Sequence, residues 1–122
     1  MATVFTTVGK QWTVDVLDPA TRAAAGEARH IAWGTGAGTA AVGDTTLFTE
    51  TTPTRTSGAV DQSAADTYRV IGTLTADAGK TITNAGVFTA ASGGVLFIKA
   101  DFTGIPLLTG DRIEFTFTLQ VT

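Results

Sequence analysis

The sequence predicts a mainly β protein: a single antiparallel β-sandwich over residues 1–122, jelly-roll or immunoglobulin-like, with one short N-terminal helix. Three observations carry this expectation. Residues Ile113, Phe115, Phe117, Leu119 and Val121 alternate with Glu114, Thr116, Thr118, Gln120 and Thr122, a strict period of two. Fourteen glycines are scattered through the chain and mark frequent turns. Thr, Val, Ile and Phe, which suit a pleated half-buried surface, are abundant, while Leu and Lys are scarce.

The elements follow in order. Thr3-Val4-Phe5-Thr6 alternates and reads as an extended N-terminal arm within residues 1–6. Val8, Trp12 and Val16 then recur every fourth residue, with Lys10 and Asp15 on the opposite side. This favours a helix from about Thr7 to Leu17, with Thr7 placed to cap it and Pro19 to end it. Trp12, Val14 and Val16 also alternate as a strand would, so the strand reading stays open. Glu27 to Trp33 reads as a strand. Residues 18–26 and 34–66 are rich in Gly, Ala, Thr and Ser. The second stretch is long for a structureless loop and is expected to hold short edge strands or to meet a neighbour.

Tyr68 to Ala76 carries Tyr68, Val70 and Leu74 on one parity and reads as a strand. Gly86 to Thr89 and Val95 to Phe102 are joined through Gly93-Gly94, a hairpin signature. In the second of these, Leu96, Ile98, Ala100 and Phe102 form the expected buried face, and Lys99 and Asp101 point outward. Pro106 lacks a ladder donor, which makes Ile105 to Leu108 an edge or a strand end. Gly110-Asp111 turns the chain into the final strand.

Size and charge bound the function. One domain is expected at 122 residues. With 43% hydrophobic and 16% charged residues, the chain lies outside the disordered regime. A formal charge of −3 argues against nucleic acid and against a polybasic membrane surface. There is no cysteine, hence no disulfide and no thiolate ligand or nucleophile. The N-terminus lacks a basic region followed by a long apolar one, which predicts a chain made without secretion. No run of about 18 apolar residues is present to span a membrane.

Candidate chemical motifs each have a simpler explanation. Gly34-Thr35-Gly36-Ala37-Gly38 misses the third glycine position of a dinucleotide fingerprint and is followed by helix-breaking Ala-Val-Gly-Asp. Gly79-Lys80-Thr81 lacks the first glycine of a phosphate loop, whose place is taken by Leu74. His30 stands alone, whereas zinc sites and hydrolytic triads need partners. Asp61 and Asp66 share one loop and Asp101 lies near Gly104, but their spacing is not that of a calcium loop. Trp33 is expected in the core, and Trp12 either in the core or at a binding surface. No catalytic residue, cofactor or metal site is predicted, and an enzyme is the least favoured class.

An ordered set of motifs carries a resemblance. Ile31-Ala32-Trp33-Gly34-Thr35-Gly36 is followed by Val42-Gly43-Asp44-Thr45, then Ile82-Thr83-Asn84-Ala85-Gly86-Val87-Phe88. Ala91-Ser92-Gly93-Gly94, Leu96, Phe102, Leu107 and Gly110-Asp111 lead to the closing alternating strand. Over roughly residues 7 to 122 this resembles a set of tailed-bacteriophage virion proteins, described as capsid decoration (cement) proteins or as tail-fibre-type components. The resemblance implies a structural protein on the virion capsid, assembled in the host cytoplasm. It would bind the phage major capsid protein and itself, as a homotrimer in preference to a homodimer. Thr3, Val4, Phe5, Thr6 and Thr7 are the expected capsid contacts, through strand addition. The alternative implied is a tail-fibre or receptor-binding module that holds host glycan on Trp12, Tyr68 and Phe48.

Overall fold

A computed structural model describes residues 2–122. Met1, the first residue of the expected arm, lies outside the described residues. The chain forms β1 (Ala2–Phe5), α1 (Thr7–Leu17), a 3-10 turn (Arg22–Ala24), β2 (His30–Gly34), β3 (Glu50–Ser57), β4 (Ala59–Ala64), β5 (Thr67–Thr75), β6 (Lys80–Phe88), β7 (Leu96–Leu107) and β8 (Arg112–Gln120). Two antiparallel sheets make a β-sandwich, five strands in the order β1-β7-β6-β2-β3 and three in the order β4-β5-β8. The chain passes from the first sheet to the second at Gly58, between β3 and β4.

The core lies between the sheets. Ile31 and Trp33 from β2, Ala85 and Val87 from β6 and Ile98 from β7 meet Val70 and Leu74 from β5 and Phe117 from β8. Trp33 is fully buried, and its indole N–H donates to the Thr52 carbonyl at 2.9 Å. β8 keeps the alternation that the sequence shows, because its other face meets water. Its partner β5 pairs in one unbroken register, from Thr67 opposite Gln120 to Thr75 opposite Arg112.

Several boundaries differ from expectation for physical reasons. The stretch from residue 34 to 66 does hold two edge strands, β3 and β4. The β2–β3 register slips between Ile31 and Trp33, and the slip accommodates Pro53 on an outer strand, where a missing donor is tolerated. Ile105 to Leu107 is the end of the twelve-residue β7. β1 covers only Ile98 to Asp101 of that strand, so Pro106 lies where β7 has no second neighbour. β2 begins at His30, because Ala28 and Arg29 form a turn.

α1 spans the expected residues, but its cap is Thr6. The Thr6 side chain accepts from the Gly9 N–H at 2.9 Å and donates to the Leu96 carbonyl at 2.5 Å, so one buried hydroxyl ties helix to sheet. Thr7 is exposed and opens the first turn. The helix lies so close to β7 that a Cβ at Gly9 would stand 2.5 Å from the Phe97 carbonyl oxygen. A bulge at Phe97 turns its ring to meet Phe5 and Trp12 edge-on, at 5.1 and 5.2 Å.

Candidate functional site

The N-terminal segment is not a free arm. Ala2 to Phe5 pair antiparallel with Asp101 to Ile98, and the Thr6 N–H continues this ladder to the Phe97 carbonyl at 3.2 Å. Alternation then fixes which way each backbone group points. Ala2, Val4 and Thr6 face β7, and Thr3 and Phe5 present their N–H and C=O to the open side. Of the five expected contact residues, Thr3 and Thr7 are exposed, Val4 and Phe5 are half-buried, and Thr6 is fully buried. Phe5 is committed to the core through Phe97. What this segment offers a partner is therefore a short strand edge at Thr3 and Phe5.

The far face of the five-stranded sheet is covered by residues 35–49. Polar side chains on β6 and β7 hold this loop down. Asn84, fully buried, accepts from the Phe48 N–H and donates to the Phe48 carbonyl, both at 3.0 Å. Asp101 accepts from the Ala40 N–H at 2.6 Å and from the Ala2 N–H at 3.2 Å, which hold its carboxyl below the usual carboxylate range. Lys99, expected to point into water, is completely buried. Its parity is as expected, but the loop closes over it. The ammonium donates to Asp44 at 2.9 Å and to the Thr46 carbonyl at 2.8 Å, and it stands 3.2 Å from the centre of the Phe48 ring. Asp44 is held below its ordinary value by the Ala41 N–H first and by Lys99 second.

The glycine run explains how the loop fits. Thr35 and Gly36 donate to the carbonyls of Thr49 and Phe48 at 3.0 and 2.9 Å, so the run continues β2 alongside the start of β3. A Cβ on Gly38 would stand 2.6 Å from the Phe48 ring. These glycines serve close backbone packing, and no helix follows them to face a phosphate. Gly79-Lys80-Thr81 enters β6, where Lys80 donates to Asp77 at 2.6 Å and to the Thr52 carbonyl. Arg55 forms a two-bond pair with Glu50 at 2.9 and 3.0 Å, donates to the carbonyls of Ala90 and Gly93, and lies over the Phe88 ring. It ties the β6–β7 turn to β3.

The remaining candidates are also engaged inside the protein. Trp12 donates its indole N–H to the Ala25 carbonyl at 2.5 Å. Tyr68 donates to the Ala28 carbonyl at 2.6 Å, and burial pushes its hydroxyl pKa up. Trp12, Tyr68 and Phe48 are each half-buried and do not share one face: the first two flank Phe97 and the third covers Lys99. His30 is half-buried at the start of β2. Asp61 pairs with Arg69 at 2.6 Å and Asp66 with Gln120 at 3.1 Å, beside a cleft of about 800 Å³ between Val60 and Val121. No group of three metal-type ligands gathers among the described residues. No described helix is long and apolar enough to cross a membrane.

Each sheet ends on two edge strands, β1 and β3 in the larger and β4 and β8 in the smaller. β1 and β8 lie on the same flank, and between them an apolar groove of about 380 Å³ runs into the sandwich. Thr3, Ala100, Phe102 and Ile105 line it on one side, and Phe115 to Thr118 on the other. The sequence signal for this groove was the alternation of β8 itself. The mismatch of five strands against three, which uncovers the groove, is a property of the tertiary pairing. No protein-family model, no curated protein and no solved structure matches the chain. The likeness to phage virion proteins rests on the ordered motifs alone.

Proposed function

We propose that this protein is a decoration (cement) protein of a tailed-bacteriophage capsid, binding the outer surface and stabilising contacts between major capsid subunits. The observation that supports the reading is one flank with two open strand edges, β1 and β8, on a scaffold whose buried polar side chains are all hydrogen-bonded among the described residues. Such edges bind through backbone groups and need no reactive centre. A homotrimer on a local symmetry axis of the capsid is the proposed assembly. Binding of that kind stabilises the lattice by mass action, because the partner recognises only the assembled state.

Deleting residues 1–6 would be a poor test, because it removes both a paired strand and the cap of α1. Thr3→Pro is cleaner. It removes an outward N–H of β1 and leaves the bonds from Val4 and Thr6 to β7 in place. The expected result is unchanged stability and loss of binding to undecorated capsids in a co-sedimentation assay. Undiminished binding would reject β1 as the contact. Copy number decides between capsid and tail: hundreds of copies per virion support decoration, and a handful would favour the glycan-binding tail module.

A further inference from the structure

We infer that the flank beyond β8 is a docking site for one extended segment of another polypeptide, uncharged and apolar at alternate positions, which adds as a fourth strand to the three-stranded sheet. This deepens the proposed function by naming a second contact element, and it holds whatever the identity of the larger partner.

The backbone of β8 sets the first requirement. The Ala76 N–H donates to the Asp111 carbonyl and the Val121 N–H to the Asp66 carbonyl, both in the β5–β8 register. Odd-numbered residues of β8 therefore face β5, and Arg112, Glu114, Thr116, Thr118 and Gln120 present their N–H and C=O outward. That is a nine-residue outer strand without a partner. Backbone groups spaced in this way are satisfied by another strand.

The groove sets the second requirement. Behind the edge, Ala100, Phe102, Ile105 and Phe115 face a space with no charged residue among those that line it. Ile105 is 39% exposed there. A strand added to β8 would point every second side chain into this space, so those residues must be apolar and uncharged. Its other side chains would lie beside Arg112 and Glu114, where an acidic and a basic residue respectively complement the charge.

The width of the gap selects the occupant. At about 4.8 Å per strand, the larger sheet is two strand widths wider than the smaller. α1 fills one corner of the overhang by packing Trp12 on Phe97. A second folded copy docked on β8 would bring its own overhanging β1–β7 flank onto the same side, where the two would collide. A single strand meets no such obstacle.

The probe is a capped nine-residue peptide with the sequence of Arg112–Gln120. Antiparallel to β8 and centred on Thr116, it sets Phe115 against Phe117 and Ile113 against Leu119, and opposes no like charges. Titrated into the 15N-labelled intact protein, it should shift resonances of β8, Phe102 and Ile105. Thr116→Pro or Thr118→Pro, each removing one outward donor, should weaken binding roughly three- to ten-fold. Ile105→Lys, a change at an exposed rim position, should abolish it. A peptide with Glu facing Arg112 and Lys facing Glu114 should bind about three-fold tighter. Three outcomes would overturn the inference: no shifts at millimolar peptide, shifts centred on β4 or β3, or a β8-mediated dimer of the free protein that Ile105→Lys dissociates. Capsid binding lost in Thr3→Pro with peptide binding intact would separate the two contacts.

Discussion

Asp44 and Lys99 form one contact with unequal halves, since the lysine side chain is 1% exposed and the aspartate side chain 25%. Removing the carboxylate strands an ammonium in the protein with only the Thr46 carbonyl and the Phe48 ring for company. Removing the ammonium leaves a carboxylate that water reaches and that still accepts from the Ala41 N–H at 3.0 Å. Asp44→Ala is therefore expected to cost about 3 kcal/mol and Lys99→Met about 1 kcal/mol. Urea unfolding with an unchanged m value checks the order, and equal costs would contradict it. The burial of Lys99 was not legible in the sequence. Its parity on β7 was, but parity names a face of the sheet and not what covers it. The cover comes from residues 35–49, fifty or more positions upstream, whose small residues carry no period. Trp33 is the opposite case: flanked by Ile31 and Ala32 in a short apolar strand, it could hardly lie anywhere but in the core.

Elements with one wet face were the easiest to read. β8 shows its alternation because Glu114, Thr116 and Thr118 meet solvent while Phe117 is buried. β6 runs Asn84 to Phe88 buried on both faces, so the period disappears and only the flanking turns reveal the strand. β3 and β4 were the hardest, being Thr-rich or polar strands at sheet edges with few apolar residues to alternate. α1 was legible in extent from Val8, Trp12 and Val16, but its cap was displaced by one residue. Thr6 wins over Thr7 because its hydroxyl serves the helix and β7 together. Thr6→Ala should cost about 1–2 kcal/mol, and Thr7→Ala less than about 0.5 kcal/mol. Thermal unfolding of the two variants distinguishes them, and the reverse order would reassign the cap.

Across the whole molecule five aspartates respond to acid in one direction. Asp44, Asp61, Asp66, Asp77 and Asp101 all lie below their ordinary values, each lowered chiefly by a hydrogen bond donated to its carboxylate. A group with a depressed folded pKa contributes stability that is fully present above its unfolded value, about 3.9, and is lost as pH falls through the folded value. Stability should thus be level from pH 7 to 5 and decline below about pH 4, as urea midpoints at pH 6, 4 and 3 would record. The loop over the larger sheet should loosen with it, because Asp44 and Asp101 secure it at two points. Hydrogen exchange at Ala40 and Ala41 should then accelerate relative to Val87 in the core. Exchange that quickened equally at all three would place the acid sensitivity in global unfolding alone.

The pairing of β1 with β7 also governs when the fold can be completed. Phe5 waits for Ile98, and the Thr6 hydroxyl waits for the Leu96 carbonyl. At a synthesis rate of 5–20 residues per second, that interval is about 5–20 s on the ribosome. During it, α1 has no sheet to lie on, and its eleven residues fall short of the roughly 12–15 that an isolated helix needs to persist in water. A segment made before every strand it packs against is thus among the last to be ordered. Docking of Ala2–Phe5 cannot precede synthesis of β7, so this pairing does not nucleate the domain.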